Sequence, residues 1–521
     1  MDILASLNSQ QRAAVTAKAG PTLVLAGPGS GKTRVLTQRI AYLVGQLGVP
    51  PRSILAVTFT NKAAREMKSR VENLLEGGLR GLTIGTFHSI SARFLRREAD
   101  RLPVTSDFVI YDDSDQQALI KQVLKELNLN DKQYTPQKML GKISTAKNEL
   151  IGPDEYSAAS YIDEIVKRIY VRYQQLLALN NALDFDDLLT GVVKLFSDHP
   201  DVLARYQRNY QHLLVDEFQD TNTAQYKFLQ QLAEQHRNLY VVGDPDQSVY
   251  RWRGADYRNV RRFQQDYPDA QVLLLEENYR STQLILDAAM AVIDRHPGRT
   301  RKQLFTQREG GVELNAYEAY NEQEEAQYVV DTIAELVRLG EYNPGDCAVM
   351  YRTNAQSRSV EEAFLHAGLP YKLVGAQRFY GRKEIKDLLA YLRLIHNPAD
   401  SVGLMRAINT PPRGVGTKTL EQLTAAAARG GIPATEVLRD LAENGARSAY
   451  AAEFGGKAGA SLTHFGKLLG QWQAVREDIP VVQLVDLVLD NIGYMDFVND
   501  GTEEGMERWA NVLELRAVAA E

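Results

Sequence analysis

Short apolar runs recur along the first 280 residues, and each has the length of a β-strand. They are TLVLAG (22–27), ILAVTFT (54–60), LTIGTF (82–87), FVIY (108–111), HLLVDEF (212–218), LYVVGD (239–244) and QVLLLEE (271–277). The runs are apolar on both faces, which is typical of central strands in a parallel sheet. Helical patterns such as TRVLTQRIAYLVGQL (33–47) separate them. This alternation predicts an α/β fold in which helices flank a parallel sheet.

The pattern changes at about residue 112, where the strand-like runs stop until about residue 210. The segments DSDQQALIKQVLKELNL and YIDEIVKRIYVRYQQLLAL predict amphipathic helices. We therefore expect a helical insertion over 111–204 within a first α/β domain made of 1–110 and 205–285.

The second half of the chain shows a weaker version of the same alternation. Strand-like runs return at VELNAYEAY (312–320), CAVMYR (347–352) and YKLVG (371–375), and these predict a second α/β domain over 286–390. From 391 to 521 the pattern is helical, with Gly- and Pro-rich punctuation at NTPPRGVGTKT (409–419).

Composition narrows the class of protein without deciding its function. A chain of 521 residues with 44% hydrophobic and 24% charged residues predicts several soluble globular domains. The net charge of −6 argues weakly against nucleic-acid binding. A local basic stripe could still bind, because salt screens charges over about 10 Å.

Cysteine usage and hydropathy indicate the compartment. The single cysteine, Cys347, excludes an intramolecular disulfide and any multi-cysteine metal site, and it fits a reducing environment. The N-terminus lacks a secretory signal pattern, and no apolar run approaches about 18 residues. The expectation is a cytoplasmic protein with no membrane association.

The strongest chemical motif lies in LVLAGPGSGKTRVL (23–36), between a predicted strand and a predicted helix. Gly27, Gly29, Ser30 and Gly31 would let the backbone turn its N–H groups toward phosphate oxygens, next to a helix N-terminus. Lys32 would reach the terminal phosphates and the Thr33 hydroxyl would bind Mg²⁺. The segment has Ala26 where the pattern usually has its first glycine. The alternative, a plain Gly-rich turn, is disfavoured because a predicted strand and a predicted helix flank the segment.

An acidic pair follows a later apolar run, in LLVDEFQDTN (213–222). Alone, two adjacent carboxylates are more typical of a solvated strand end. Together with the phosphate loop, they predict that Asp216 holds Mg²⁺ and that Glu217 orients and deprotonates an attacking water.

Taken together with further segments of the chain, these motifs resemble the UvrD/PcrA/Rep family of superfamily 1 DNA helicases, and the resemblance runs from about residue 7 to 420. The resemblance is carried by LNSQQRAAV, GPGSGKT, AVTFTNKAAREM, IGTFHS, DFDDLL, LLVDEFQDTN, VVGDPDQSVYRWRGAD, LEENYRS, YRTNAQSR and FYGRKEIKD, in that order. It implies RecA-like P-loop NTPase core domains with helical accessory insertions. It also implies an ATP- and Mg²⁺-dependent 3′–5′ DNA helicase that acts on single-stranded DNA and single-strand/duplex junctions, with possible repair or replication proteins as partners.

The resemblance implies roles for the nucleotide-binding residues. Gln11 would pair with the adenine edge, Tyr279 would stack on the base and Arg39 would lie on the other side of it. Arg34 joins the nucleotide-binding set, and Gln247 and Arg280 would contact the γ-phosphate, where negative charge builds up during hydrolysis.

A second set would face nucleic acid. The rings of Phe59, Tyr250 and Trp252 match positions that stack on single-strand bases, which tolerates any sequence. The remaining expected contacts with DNA are Thr58, Asn61, Thr86, His88, Arg253, Arg352, Asn354, Gly414 and Gly416. Two readings stay open here, because His88 could equally be a packed histidine and PPRGVGTKT (411–419) could be a plain loop.

The chain departs from the family at its end, NVLELRAVAAE. Family members continue for about 150–200 residues, the size of an ordinary domain, with a KGLE-like segment and an arginine-bearing YVA-TRA-like segment. Neither is present, so the expectation is a second core domain that is incomplete, in a C-terminally truncated chain or one completed by a second chain, with impaired turnover. The alternative is an ATP-responsive single-stranded DNA-binding module without motor activity. A third alternative, a metabolic kinase, is disfavoured because such an enzyme would not need the segments TFTNKAAREM and YRWRGAD.

Overall fold

The computed structural model describes residues 3–75, 77, 79–249, 256, 258–295, 302–353, 356–374 and 381–520. Four of the expected DNA contacts, Tyr250, Trp252, Arg253 and Asn354, lie outside the described residues.

The described residues form a parallel sheet and many helices. The strands are β1 (Thr22–Ala26), β2 (Ile54–Thr58), β3 (Thr83–Thr86), β4 (Val109–Tyr111), β5 (Ala182–Asp184), β6 (His212–Val215), β7 (Leu239–Gly243) and β8 (Gln271–Leu275). The helices are α1 (Ser9–Val15), α2 (Lys32–Gly45), α3 (Asn61–Leu75), α4 (Phe87–Arg97), α5 (Asp113–Glu126), α6 (Pro136–Asn148), α7 (Tyr161–Leu179), α8 (Phe185–Asp198), α9 (Pro200–Asn209), α10 (Thr223–Ala233), α11 (Arg258–Asp266), α12 (Gln283–Ile293), α13 (Glu322–Arg338), α14 (Ser357–His366), α15 (Lys383–His396), α16 (Ser401–Ala407), α17 (Thr417–Gly430), α18 (Ala434–Asn444), α19 (Gly456–Val475), α20 (Val481–Ile492), α21 (Tyr494–Val498) and α22 (Glu503–Val518).

The main sheet has six strands in the order β3-β2-β6-β7-β1-β8, all parallel. Strands β1, β2 and β7 are buried along their whole length. One apolar core covers each face of the sheet: the first is built on α4, α8 and α10, and the second on α1, α2 and α3. The predicted α/β fold with a parallel sheet flanked by helices is therefore confirmed.

The insertion differs from its prediction in one respect. FVIY (108–111) is not a strand of the main sheet, because β4 pairs in parallel with β5, which lies in the stretch where no strand was expected. Both strands are three residues long, and their apolar side chains pack among α5, α6 and α7. A three-residue strand is too short to show in the hydrophobic pattern.

The chain divides into two compact units. Unit 1 comprises Met1–Gly311 and Ala390–Tyr494, and it contains both sheets. Unit 2 comprises Val312–Leu389 and Met495–Glu521, and its small apolar core joins α13 and α14 through Ala326, Val330, Ala363 and Phe364.

The strand predictions in unit 2 are wrong for the residues that the structure describes. None of the described residues in 312–320, 347–352 or 371–374 belongs to a β-strand. Apolar side chains of these runs stay exposed, with Met350 93% exposed. The physical reason is that an apolar run becomes a strand only when a neighbouring backbone pairs with it, and the hydrophobic pattern does not report that neighbour.

Within the described part of the chain, no helix is long and apolar enough to span a membrane.

Candidate nucleotide site and nucleic-acid surface

Most of the expected site residues of unit 1 lie at or just after the carboxyl ends of the strands of the main sheet, whereas Gln11 lies on α1 and Gly414 and Gly416 lie in the loop 411–416. Because all six strands are parallel, these ends share one edge, where ligands bind in open α/β sheets. The phosphate loop follows β1, Asp216 follows β6, Gln247 follows β7 and Tyr279 follows β8. The segments that follow β2 and β3 carry the expected DNA contacts on the same edge.

The loop between β1 and α2 has the backbone of a phosphate cradle. Gly29 and Gly31 have φ angles of 64° and 88°, in the left-handed region that favours glycine. A Cβ atom on Gly29 would lie 2.7 Å from Nδ2 of Asn278, so any other residue there would have to displace the Asn278 side chain. The Ser30 hydroxyl donates to the Gly27 carbonyl at 2.8 Å and closes the turn.

Lys32 provides the test of whether the loop fits a phosphate. Its Nζ atom is buried, lies 3.5 Å from Oε2 of Glu217 and has no hydrogen-bond partner among the described residues. A buried ammonium without hydrogen-bond acceptors is costly unless a ligand supplies them. A phosphate at the start of α2 would supply both the acceptors and the negative charge.

Thr33 and Asp216 form the expected metal pair. The Thr33 hydroxyl donates to Oδ2 of Asp216 at 3.2 Å. Burial, with the negative charge of Glu217 beside it, raises the pKa of Asp216 to about 6. In the described ranges, no three His, Cys, Asp or Glu side chains gather as a metal cluster. This oxygen donor set fits Mg²⁺, which is usually held by one or two protein ligands together with phosphates and water.

Glu217 is oriented by a glutamine that the sequence analysis did not single out. Nε2 of Gln219 donates to Oε2 of Glu217 at 2.8 Å, and Oε1 of Gln219 accepts from the Asp244 backbone N–H at 2.9 Å. Gln219 therefore ties the end of β6 to the end of β7. Its position two residues after Glu217 was visible in the sequence, but its partner Asp244, just after β7, was not.

Gln247 also has a defined partner. Its Nε2 atom donates to Oδ2 of Asp244 at 2.5 Å. Asp244 is fully buried. The amide that was expected to contact a γ-phosphate is thus held by a carboxylate at the end of β7.

The segment after β8 is attached to the phosphate loop. Asn278, also missed in the sequence, donates to the Pro28 carbonyl at 2.5 Å and accepts from the backbone N–H groups of Arg280 and Ser281. The backbone N–H of Tyr279 donates to the Gly29 carbonyl at 3.0 Å. These bonds place Tyr279 and Arg280 beside the loop, and both side chains are exposed.

Gln11 and Arg34 lie at the same loop. Gln11 is only 1% exposed, and its Nε2 atom donates to the Ser30 carbonyl at 3.0 Å while its Oε1 atom accepts from the Asn8 backbone N–H. Arg34 donates to Ser6 at 2.8 Å. Partial burial and the neighbouring Glu277 carboxylate raise the pKa of Tyr279, and the positive charge of Arg34 opposes that change.

Arg39 does not lie where the sequence analysis expected it. Its guanidinium donates to the Val15 carbonyl at 2.7 Å and lies over the Tyr240 ring at 5.5 Å from the ring centre. With a side chain 3% exposed, Arg39 offers no face on which a base could stack. The reason is helical geometry: Arg34 and Arg39 are five residues apart on α2, about 140° around the helix, so they face different directions.

The ends of β2 and β3 carry the part of the nucleic-acid set that the structure describes. Thr58 ends β2 and is buried, whereas Phe59 is partly exposed and Asn61 is exposed. Thr86 caps α4 by accepting from the Ser89 backbone N–H at 3.2 Å. β2 pairs directly with β6, so these residues lie about 5–10 Å from the strand that carries Asp216 and Glu217.

His88 has the environment of a packed histidine. Its ring meets the Phe185 ring edge-on at 5.8 Å between centres. Burial lowers the pKa of His88 to about 4, so the ring is neutral at pH 7. A neutral, partly exposed ring can still contact a base, so both readings of His88 stay open.

The loop 411–416 is fixed by hydrogen bonds to the residues that precede it. Arg413 donates to the carbonyls of Ala407 at 2.9 Å and Ile408 at 3.1 Å. Added Cβ atoms on Gly414 and Gly416 would meet no heavy atom within 4 Å among the described residues, so their backbone is open to a ligand. In unit 2, Arg352 is exposed, and its backbone N–H donates to Oε1 of Gln356 at 3.0 Å.

A glycine loop between a buried strand and a helix, a lysine with a buried ammonium and a Thr–Asp pair at the same sheet edge define a P-loop nucleotide-binding protein. Comparison with protein families makes this specific. The UvrD/REP helicase N-terminal domain matches residues 7–268, and the UvrD-like helicase C-terminal domain matches residues 273–445. The chain belongs to the UvrD/REP helicase family.

Individual relatives match along nearly the whole chain. The ATP-dependent DNA helicase PcrA of Bacillus subtilis is 45% identical over 519 residues, which cover 99% of this chain and 69% of that protein. The PcrA helicases of Staphylococcus epidermidis and Staphylococcus aureus are each 43% identical, with 99% of this chain and 70% of each relative covered. The chain thus spans about two thirds of the length of these relatives.

Proposed function

We propose that this chain is an ATP-hydrolysing DNA helicase that moves 3′–5′ along single-stranded DNA and works in DNA repair or replication in the cytoplasm. The observation that carries the proposal is the buried Lys32 ammonium without a hydrogen-bond acceptor, beside the Thr33–Asp216 pair and Glu217. A triphosphate with a divalent cation would satisfy this arrangement. The 43–45% identity to PcrA helicases supports DNA as the substrate.

Each side chain of the site has a task in hydrolysis. Thr33 and Asp216 would hold Mg²⁺, which neutralises charge on the phosphates. Lys32 and the backbone N–H groups of the loop bind and orient the phosphate oxygens. Glu217, fixed by Gln219, accepts the proton of the attacking water. Arg280 stabilises the negative charge that develops on the transferred group.

Adenine would be held by Tyr279 together with Arg34, not Arg39. Arg34 lies beside Gly31 of the loop to which Tyr279 is bonded, whereas Arg39 is buried under α1 and Tyr240. Gln11 would pair with the base only by giving up its bond to Ser30 or by using the second hydrogen of its amide nitrogen.

Single-stranded DNA would cross the ends of β2 and β3, with Phe59, Asn61 and His88 as side-chain contacts. Thr58 and Thr86 are buried and would position the backbone beneath the strand. The proximity of β2 to β6 supports a coupling between DNA and the hydrolytic residues, because both sites bias one sheet edge. Gly414 and Gly416 would contact duplex phosphates at a junction, since their backbone is open. The domains proposed for these tasks are a core of 1–110 and 205–285, an insertion of 111–204, a second core of 286–390 and a helical accessory domain of 391–521.

The test is ATPase and unwinding by the 521-residue chain. We expect ATP hydrolysis that requires Mg²⁺ and rises with single-stranded DNA of any sequence, and unwinding of a duplex with a 3′ tail but not a 5′ tail. Glu217→Gln should abolish hydrolysis while it retains ATP binding. Hydrolysis that Glu217→Gln leaves intact would refute the site, and unwinding from a 5′ tail would refute the direction.

One observation favours a second candidate, an ATP-responsive single-stranded DNA-binding module with little turnover. In the described residues of unit 2 no strand forms, and Arg352 is exposed on an irregular segment. Without a sheet, the described residues of unit 2 give no rigid support for a group that would stabilise the transition state. ATP and DNA binding with no DNA-stimulated hydrolysis would favour this candidate.

A further inference from the structure

Lys302 is a buried lysine to which no motif in the sequence drew attention. It is 3% exposed, and its Nζ atom forms ion pairs with Oδ1 of Asp244 and, at 3.0 Å, with Oδ2 of Asp246. Lysine is almost never buried this deeply unless it is paired. Both of its partners lie in the segment after β7 that also carries Gln247.

The carboxylate of Asp244 joins Lys302 to the hydrolytic residues. One oxygen of Asp244 accepts from Lys302 and the other accepts from Nε2 of Gln247. The backbone N–H of Asp244 donates to Gln219, which in turn holds Glu217. Lys302 is therefore one end of a continuous set of hydrogen bonds that reaches Gln247 through the Asp244 carboxylate, and Glu217 through the Asp244 backbone N–H and Gln219.

Lys302 is anchored independently of Asp244. The next residue, Gln303, donates its backbone N–H to Oε1 of Glu276 at 2.9 Å. Phe305 exchanges backbone hydrogen bonds with Glu276 and Asn278, at 3.2 and 2.8 Å, and forms a parallel bridge with Glu277. The segment that carries Lys302 is thus fixed to the end of β8, so the ammonium reaches Asp244 from a rigid support.

We propose that Lys302 is a positioning residue that sets the orientation of the Gln247 amide toward the terminal phosphate of a nucleoside triphosphate. The Gln247 amide nitrogen carries two hydrogens, and Asp244 takes one of them. A flipped amide would turn its oxygen against the Asp244 carboxylate, which is repulsive. As long as Lys302 holds Asp244 in place, the second N–H of Gln247 has one defined direction.

This role rests on the proposed ATP site, and it differs from a purely structural ion pair in what it predicts. A structural pair would only attach 302–306 to the end of β7, so its loss would affect all nucleotides alike. A positioning role would affect nucleotides that carry a third phosphate and spare the diphosphate.

The experiment measures the dissociation constants of Mg²⁺-ADP and of a non-hydrolysable Mg²⁺-ATP analogue on the 521-residue chain, with folding checked by circular dichroism. Lys302→Met should weaken binding of the ATP analogue by roughly tenfold, the size of one hydrogen bond to a charged group, and leave ADP binding within about twofold. Lys302→Arg should restore most of the preference. The control Asp246→Asn removes the other ion pair of Lys302 and should keep the preference, because Asp246 does not hold the Gln247 amide.

A double-variant cycle makes the test specific. If Lys302 acts through Gln247, the variant Lys302→Met with Gln247→Ala should bind the ATP analogue no more weakly than Gln247→Ala alone. Full additivity would overturn the proposal, as would equal losses for ADP and the ATP analogue. If Lys302→Met does not fold, Lys302→Gln serves in its place, and an unchanged preference in that variant would overturn the proposal.

The outcomes separate this role from the proposed function. A wild-type chain that binds neither nucleotide refutes the ATP site and the role of Lys302 with it. A wild-type chain that prefers the ATP analogue, together with a Lys302→Met variant that keeps that preference, refutes the role of Lys302 alone.

Discussion

The two halves of one sheet edge are built in different ways. At the ends of β1, β6, β7 and β8, charged and amide side chains are buried and joined by hydrogen bonds, as in the sets around Gln219, Asp244 and Asn278. At the ends of β2 and β3, the threonines cap or end backbone elements, and Phe59 and Asn61 reach the surface. The first half is preorganised, as the proposed nucleotide ligand would require, whereas the second presents exposed area of the kind that the proposed DNA ligand would contact.

The difference follows from the chemistry of the two proposed ligands. A triphosphate concentrates negative charge in a few atoms, so the protein must hold donors in defined directions and exclude water. A single DNA strand offers base faces that stack on any exposed ring, so rigid hydrogen bonding adds little. Substitutions in the first half should therefore affect nucleotide binding sharply, and those in the second half should affect DNA binding in smaller steps.

Lys32→Ala should give the largest effect. Two charge-assisted hydrogen bonds of roughly 1.5–3 kcal/mol each would be lost, so ATP affinity should fall by about 100-fold or more. Single-stranded DNA binding without nucleotide should stay within about twofold, since Lys32 belongs to the other half of the edge. Fluorescent-nucleotide titration measures the ATP affinity and fluorescence anisotropy measures the DNA affinity. Lys18→Ala, a substitution of an exposed lysine, is the control. Unchanged ATP affinity in Lys32→Ala would contradict the site.

Gly29→Ala should follow in size, and Gly414→Ala is its matched control. Both glycines have left-handed φ angles, 64° and 71°, so each alanine pays a backbone strain of roughly 1–2 kcal/mol. At Gly29 the new methyl group would also press on Asn278, adding about 1–3 kcal/mol of overpacking, while at Gly414 it meets open space. The thermal unfolding temperature and the ATP affinity should both fall more for Gly29→Ala than for Gly414→Ala. Equal effects of the two substitutions would show that the contact with Asn278 is not tight.

Phe59→Ala should weaken single-stranded DNA binding by roughly 1–3 kcal/mol, the contribution of one stacked base. ATP affinity should not change, because Phe59 follows β2 and not the phosphate loop. Tyr161, an exposed ring at the start of α7, provides a control in which alanine should leave DNA affinity unaltered. DNA anisotropy at several salt concentrations separates stacking from phosphate contacts, and a loss confined to low salt would argue against stacking.

The features of this sheet edge that could be predicted are those that depend on residues adjacent in the sequence. The Gly-Lys-Thr loop and the Asp-Glu pair stand in continuous segments, and burial on both faces marks β1 and β7 as central strands. Arg39 was misplaced because the choice between Arg34 and Arg39 depends on the rotation of α2 against α1. Gln219, Asn278 and Lys302 were missed because each takes its meaning from a partner that lies far along the chain or on another strand. For the same reason, the apolar run at 347–352 resembled a strand although its described residues pair with none.

His88 gives the smallest expected effect, and it separates packing from DNA contact. Its pKa is about 4 in the folded chain, because burial disfavours the charged ring, and about 6.5 in an unfolded chain. Between these values the unfolded state binds more protons, so stability falls as the pH falls from 6.5 toward 4. The loss should be about 1 kcal/mol by about pH 5.5. His88→Gln should remove this part of the pH dependence, as measured by denaturant unfolding at several pH values. His212 is the control: burial also lowers its pKa to about 4, but it begins β6 at the opposite edge of the sheet. His212→Gln should likewise reduce the loss of stability at low pH, and it should leave DNA affinity unchanged. If His88→Gln also leaves DNA affinity unchanged at pH 7.5, the ring is a packed histidine; a loss in His88→Gln but not in His212→Gln would make it a DNA contact.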